Sequence, residues 1–171
     1  MELKFVPETA DILLKPSELF DFNNPPFDPI EFALALHEKM VKNDGLGLSA
    51  NQVGYPYQVF AIRVSEEPFV IFNPKIVNVS ENLISMKEGC LSFPLLYMNV
   101  KRPDACRVRY QLSNGNTETN QFIGMTARVV LHEYDHMIGK VFTQAVSTFE
   151  RSRSLRKREI LKRKVKKIDN L

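Results

Sequence analysis

The sequence predicts an α+β protein built on a mostly antiparallel sheet. Three observations carry this. Helical periodicity occurs near the start and twice near the end, with a run of short strand-like segments between. One pair of those segments is joined by a hairpin turn signal, Ser113-Asn114-Gly115-Asn116. The order helix, several strands, helix, helix is that of segregated elements rather than βαβ units.

Residues 1–29 hold five of the ten prolines, Pro7, Pro16, Pro25, Pro26 and Pro29. Proline fixes φ and lacks a backbone donor, so 1–27 is expected to be an extended, wrapping segment. Asp28-Pro29 offers an N-cap followed by proline at the first helical position. Ile30, Ala33, Leu34, His37 and Val41 then recur at helical spacing, which predicts a helix over 29–43. Asn43, Asp44 and Gly45 end it. Gly45 to Gly54 reads as a loop of small residues. Strands are expected at 58–64, 69–72, 76–79 and 106–110, and after the hairpin turn to about Ile123. A second helix is expected over 125–138, with Gly139 placed to end it. A third starts near Ser147, whose spacing to Glu150 fits a capping box, and runs through the end of the sequence.

Composition narrows the class. The 171 residues are 44% apolar and 25% charged, which excludes general disorder, collagen and coiled coils. That length suits one domain able to bury a core without staples. Two cysteines, Cys90 and Cys106, exclude a disulfide scaffold. No apolar run reaches the roughly 18–20 residues of a membrane span. Acids and prolines stand where a signal peptide would be apolar, so a cytoplasmic, membrane-free protein is expected. The net charge of +3 averages two unlike parts. Residues 151–171 hold ten Lys/Arg and two acids, a net of +8, and residues 1–150 hold thirteen and eighteen, a net of −5. The expected division is a catalytic domain over 1–146 and a basic helix over 147–171. A basic tail suggests a polyanionic partner.

The strongest chemical signal is His132-Glu133-Tyr134-Asp135-His136. Two imidazoles at i and i+4 on a helix face one way and can share a metal, with the adjacent Glu as general base. The apolar run Val129-Val130-Leu131 predicts that this helix is buried, where charged groups need partners. A catalytic site needs a third ligand and an open position. No histidine follows His136, so Cys90, in Glu88-Gly89-Cys90-Leu91-Ser92, is the alternative. Its other reading is an inert buried thiol, the reading taken for Cys106. His37 reads as a core or rim residue. HEYDH by itself would also fit a zincin-type endopeptidase.

Gly45-Leu46-Gly47-Leu48-Ser49-Ala50-Asn51-Gln52 is a weak signal alone. In order with EGCLS (88–92) and HEYDH (132–136), it makes the sequence closely resemble the peptide deformylase family over about residues 28–150. The resemblance implies that Cys90, His132 and His136 bind one divalent metal, Fe2+ above all, with Zn2+, Ni2+ or Co2+ able to substitute. It implies that metal-bound water attacks the formyl carbon of N-formylmethionyl nascent peptides, with Glu133 as general base and then acid. Gln52 and the Leu91 N–H would stabilise the oxyanion, with Gly47 beside them. Gly45, Leu46, Glu88, Gly89, Met125 and Val129 would bind substrate, the glycines by leaving room for an extended peptide. Met86 is a further methionine-pocket candidate, and Glu88 and Arg102 would support the metal site. Ser49 stands where the family usually has Ala, and Leu131 where Gln often precedes the His. The basic helix, with an apolar line of Leu161, Val165 and Ile168, would dock a monomeric enzyme on the ribosome. Its removal is expected to leave activity on short peptides intact. A ribosome-bound factor without activity is a third reading, disfavoured because no predicted ligand is missing.

Overall fold

The computed structural model describes residues 1–65 and 67–168. The elements are α1 (Pro29–Lys42), β1 (Gly47–Ser49), β2 (Val59–Ile62), β3 (Phe69–Val79), β4 (Leu83–Cys90), β5 (Phe93–Pro103), β6 (Ala105–Gln111), β7 (Thr117–Ile123), α2 (Gly124–Met137) and α3 (Thr148–Ile168). One antiparallel sheet has the order β1-β2-β3-β6-β7, and β4-β5 forms a separate antiparallel hairpin. The α+β class read from the sequence is the class observed.

The five-stranded sheet lies between two helices. Strand β2 is buried along its whole length. Side chains alternate across a strand, so Val59 and Ala61 join the cluster of Phe32, Leu36 and Met40 from α1. Phe60 and Ile62 join Val130 and Leu131 from α2. Each fully buried large side chain contributes roughly 1.5–3 kcal/mol. The hairpin has its own smaller core of Leu96, Met98, Val100 and Phe142.

Helix α1 begins as read. The Asp28 carboxylate accepts from Ile30 N at 2.9 Å and Glu31 N at 2.8 Å. Its buried face differs from the expected one. Phe32, Leu36 and Met40, an i, i+4, i+8 row, are fully buried with Ala33 and His37 beside them. Ile30, Leu34 and Val41 face outward, because the larger row faces the sheet.

Residues 69–72 and 76–79 are one strand rather than two. Asn73, at φ 49°, makes a bulge that shifts the register on β6. Its side chain accepts from Phe20 N at 2.8 Å and donates to Phe20 O at 2.8 Å, which fastens the N-terminal segment. That segment also bonds through Val6 N to Gln52 O and Ser17 N to Met137 O. The span 45–54, read as a loop, contains β1 and a 3-10 turn, Ala50–Val53. The hairpin β4-β5 was not read from the sequence at all.

Helix α2 ends at Gly139, whose φ of 71° suits glycine. A Cβ there would also lie 2.7 Å from the Lys15 backbone, so the N-terminal segment crosses tightly over this point. Helix α3 starts with Ser147 Oγ accepting from Glu150 N at 3.2 Å. It lies along β5. Its contacts run through buried Ser154 and Arg158, while Leu161, Val165 and Ile168 stay largely exposed. The helical reading of 169–171 falls outside the described residues. Among the described residues, no helix is long and apolar enough to cross a membrane.

Candidate metal centre and active site

Two parts of the chain bring three donors together. Helix α2 carries His132 and His136 one turn apart, both buried. The end of β4 carries Cys90, turned in by a register shift after Gly89. The ligand atoms of Cys90, His132 and His136 all lie within 4.8 Å of one another, and Cys90 Sγ is 3.4 Å from His136 Nε2. One thiolate and two imidazoles suit zinc or ferrous iron. His132 Nδ1 is engaged with Glu88 Oε2 at 3.0 Å, which leaves its Nε2 for an ion. Glu133 Oε2 is buried and finds no partner among the described residues, as a carboxylate facing a ligand would. The donor set fits a divalent metal.

Glu88 organises the base of the centre. Arg102 donates through Nε to its Oε1 at 2.7 Å and through Nη2 to its Oε2 at 3.1 Å. Arg128 donates to its Oε1 at 2.7 Å. Each arginine also crosses between α2 and the hairpin. Arg128, on α2, donates to Val100 O at 2.9 Å and to Ile84 O. Arg102, on β5, donates to Asp135 Oδ2 at 2.7 Å and to Leu131 O at 3.4 Å. Burial alone would raise the Glu88 carboxyl, but the bonds from His132 and Arg102 outweigh it and hold it at about 2.

Burial moves the neighbouring groups apart. It pushes Glu133 up to about 7, only partly opposed by the His132 charge. A carboxyl at such a value can both take and return a proton near neutrality. Burial would lower His132, but Cys90 and Glu88 overcome it and raise this imidazole to about 10. His136 goes the other way, lowered by burial and by its neighbour His132. A metal needs both rings neutral, so binding releases a proton. Cys106 is a buried strand residue whose thiol burial pushes up to about 11, which suits the inert reading.

Gln52 reaches the centre from the 3-10 turn after β1. Its Oε1 accepts from Ser49 N at 2.9 Å, and Ser49 Oγ stands 2.9 Å from the same atom. This fixes the amide so that Nε2 donates to Ser92 Oγ at 2.9 Å and points at Cys90 Sγ at 3.3 Å. Asn51 Nδ2 bonds His136 O at 2.9 Å and ties the same turn to α2.

A cavity of about 590 Å3 opens beside these groups. Gly45, Leu46, Gly47, Gln52, Glu88, Gly89, Cys90, Leu91, Met125, Val129, His132 and Glu133 all line it. Met86 does not. His37 is buried on α1, away from the donor group. The glycines also serve the packing of the site itself. A Cβ on Gly45 would lie 2.8 Å from Leu91 Cδ1, one on Gly47 2.8 Å from Glu133 Cδ, and one on Gly89 2.7 Å from the Tyr97 ring. The space each leaves is filled by the protein's own side chains, and Gly47 in particular lets β1 back directly onto Glu133.

The sequence reading missed Arg128, Asp135, Ser92 and the Phe93–Tyr97 wall of the cavity. Arg128 carried a usable signal, since it lies four residues before His132 on the same helical face.

Fold and donor set together define an α+β protein of the HExxH metal-binding class. The match to known proteins is narrower. Residues 3–152 match the family described as polypeptide deformylase, and the chain belongs to that family, whose members depend on a metal. A peptide deformylase of Rickettsia prowazekii is 34% identical over 143 residues, 78% of each chain. One from Synechocystis sp. is 37% identical over 121 residues, 68% of this chain and 65% of that relative's length. The crystal structure of a peptide deformylase from Synechococcus elongatus in complex with actinonin superposes with a TM-score of 0.83 at 31% identity, covering 92% of this chain and 86% of the other.

Proposed function

We propose that this protein removes the formyl group from N-formylmethionyl peptides, releasing formate and a free N-terminus. The observation that carries the reading is the convergence of Gln52, Cys90, His132 and Glu133 on one cavity, with His136 completing the donor group behind them, in a chain of the deformylase family. Cys90, His132 and His136 would hold the metal, with Fe2+ as the native ion and zinc, nickel or cobalt as substitutes. When bound, such an ion acidifies water and polarises a carbonyl oxygen.

The chain's own groups supply the rest. Glu133 takes a proton from the water that adds to the formyl carbon. The Gln52 amide and the Leu91 N–H donate to the oxygen on which charge develops. Gln52 Nε2 donates to Ser92 Oγ and to Cys90 Sγ, which holds the amide beside the donor group; it would exchange the bond to sulfur for one to the developing oxyanion. Glu133 then gives its proton to the amine nitrogen as the C–N bond breaks. Gly47 supports this step by letting β1 lie against Glu133. The peptide would extend beside β1, the outermost strand of its sheet, past Gly45 and Leu46 and opposite Gly89. Met125 and Val129 would meet the methionine side chain. Glu88 acts through His132.

We place the enzyme in the cytoplasm as a monomer, with 1–146 as the catalytic domain and 147–171 as a ribosome-binding helix. The +8 charge of 151–171 supports that last reading. Co-sedimentation with ribosomes should fall with salt and with deletion of 151–171; pelleting that ignores both would remove it. The decisive assay is formate release from formyl-Met-Ala-Ser by iron- or nickel-loaded protein. Formate is expected. A folded, loaded sample that releases none overturns the proposal, and internal cleavage of unformylated peptides would favour an endopeptidase.

A further inference from the structure

One buried arginine joins the basic helix to the cavity. Arg158 lies on α3 among exposed lysines and arginines, yet it is 6% exposed. Its Nε donates to Pro94 O at 2.9 Å. Its Nη1 donates to Glu8 Oε1 at 3.3 Å, and its Nη2 also bonds the Glu8 carboxylate. Pro94 and Leu95 both line the cavity.

Leu95 has a φ of 64°. A branched, non-glycine residue rarely takes that left-handed conformation, and it persists only where its surroundings hold it there. The Pro94 carbonyl belongs to the peptide plane that ends at the Leu95 nitrogen. Fixing that oxygen fixes the plane from which the φ of Leu95 is measured. The Arg158 guanidinium does this while its other edge is anchored by Glu8, a pairing that the single ammonium of lysine cannot reproduce. Three segments meet at this point: the N-terminal wrap, the start of β5, and α3.

We propose that Arg158 is a positioning residue for the substrate cavity, holding the Pro94–Leu95 bulge of β5 from outside and thereby setting affinity for the formylated peptide. The inference rests on the deformylase reading. It changes one expectation, since a helix that holds the cavity wall is not dispensable for short substrates.

The test uses full-length, nickel-loaded protein and formyl-Met-Ala-Ser. Losing a buried hydrogen bond from a charged donor predicts that Arg158→Met raises KM about tenfold with kcat within about twofold. Arg158→Lys should recover only part of the loss, and Glu8→Gln should raise KM less. Glycine takes a positive φ without cost, so in a Leu95→Gly background the Arg158→Met effect on KM should shrink to about twofold or less. Deletion of 151–171 should raise KM as Arg158→Met does. The dissociation constant of unformylated Met-Ala-Ser, which needs no turnover, should shift in parallel. A lowered melting temperature with KM and peptide affinity unchanged would mean that Arg158 only docks the helix, and the proposal falls. It falls equally if the KM effect persists undiminished in the Leu95→Gly background. If Arg158→Met does not fold, the lysine and Glu8 variants decide the matter by the same criteria. Wild-type protein that releases no formate counts against the deformylase reading, whereas unchanged peptide affinity counts against this one.

Discussion

The two regions that build the centre are held by opposite physics. The five-stranded sheet meets α1 and α2 through apolar side chains, with Phe32, Leu36, Val59 and Phe60 fully buried. The β4-β5 hairpin meets α2 through Glu88, Arg102, Arg128 and Asp135. Apolar packing is non-directional and tolerates small shifts. Charge-assisted bonds are directional, and bidentate ones fix orientation as well as distance. The ionic joint lies where the Cys90 sulfur must meet two imidazoles, and the apolar joint lies where only a platform is required.

The harshest break is on α2, which both regions share. Glu133→Gln keeps the shape and removes the proton carrier. Turnover should fall about 10²–10⁴-fold with metal content unchanged; formate kinetics beside metal analysis would measure both. Next comes the ionic joint. Arg128→Met leaves Glu88 less compensated, which should cost about 3–5 kcal/mol and weaken metal binding together. A cobalt titration and urea unfolding would report the two effects. The apolar joint provides the contrast. Leu36→Ala should cost about 2–5 kcal/mol in urea unfolding while leaving metal affinity alone. Equal effects of the two variants on metal affinity would end the distinction.

A gentler probe is pH. The Glu88 carboxyl lies at about 2 in the folded chain, below its ordinary 4.5. A depressed acid stabilises above its unfolded value, so this contribution is complete above pH 4.5 and fades as pH falls toward 2. In Glu88→Gln, urea midpoints should lose that part of the acid dependence. The smallest expected effect lies far from the ionic joint. Asp28→Ala removes the α1 cap and should cost about 1 kcal/mol, with catalysis unchanged.

Much of the scaffold was legible because its signals are local. The Asp28 cap, the proline after it and Gly139 mark helix ends within a turn or two of themselves. The hairpin was not legible. Strand β4 is mostly exposed and lacks a clean apolar alternation, and the burial of β5 depends on Phe142 and on α3, remote in sequence. Strand β1 has three residues and exists through its pairing with β2. The Pro94–Leu95 bulge of β5 gives no sequence signal, because leucine does not announce a positive φ.

The sequence by itself determined that two imidazoles and a carboxylate share one helix, since 3.6 residues per turn places i and i+4 together wherever that helix lies. It also supplied the three ordered segments that carry the family resemblance. The resemblance pointed to Cys90 rather than Cys106, and only the tertiary structure brings its sulfur to the two imidazoles. Cys90 and His136 are 46 residues apart, and no local rule sets the distance between their 3.4 Å-separated atoms. Chain closure over that span is fixed by the arginine pair between hairpin and helix. The same holds for Arg158, which the sequence shows as one charge among ten and the fold buries against the cavity wall.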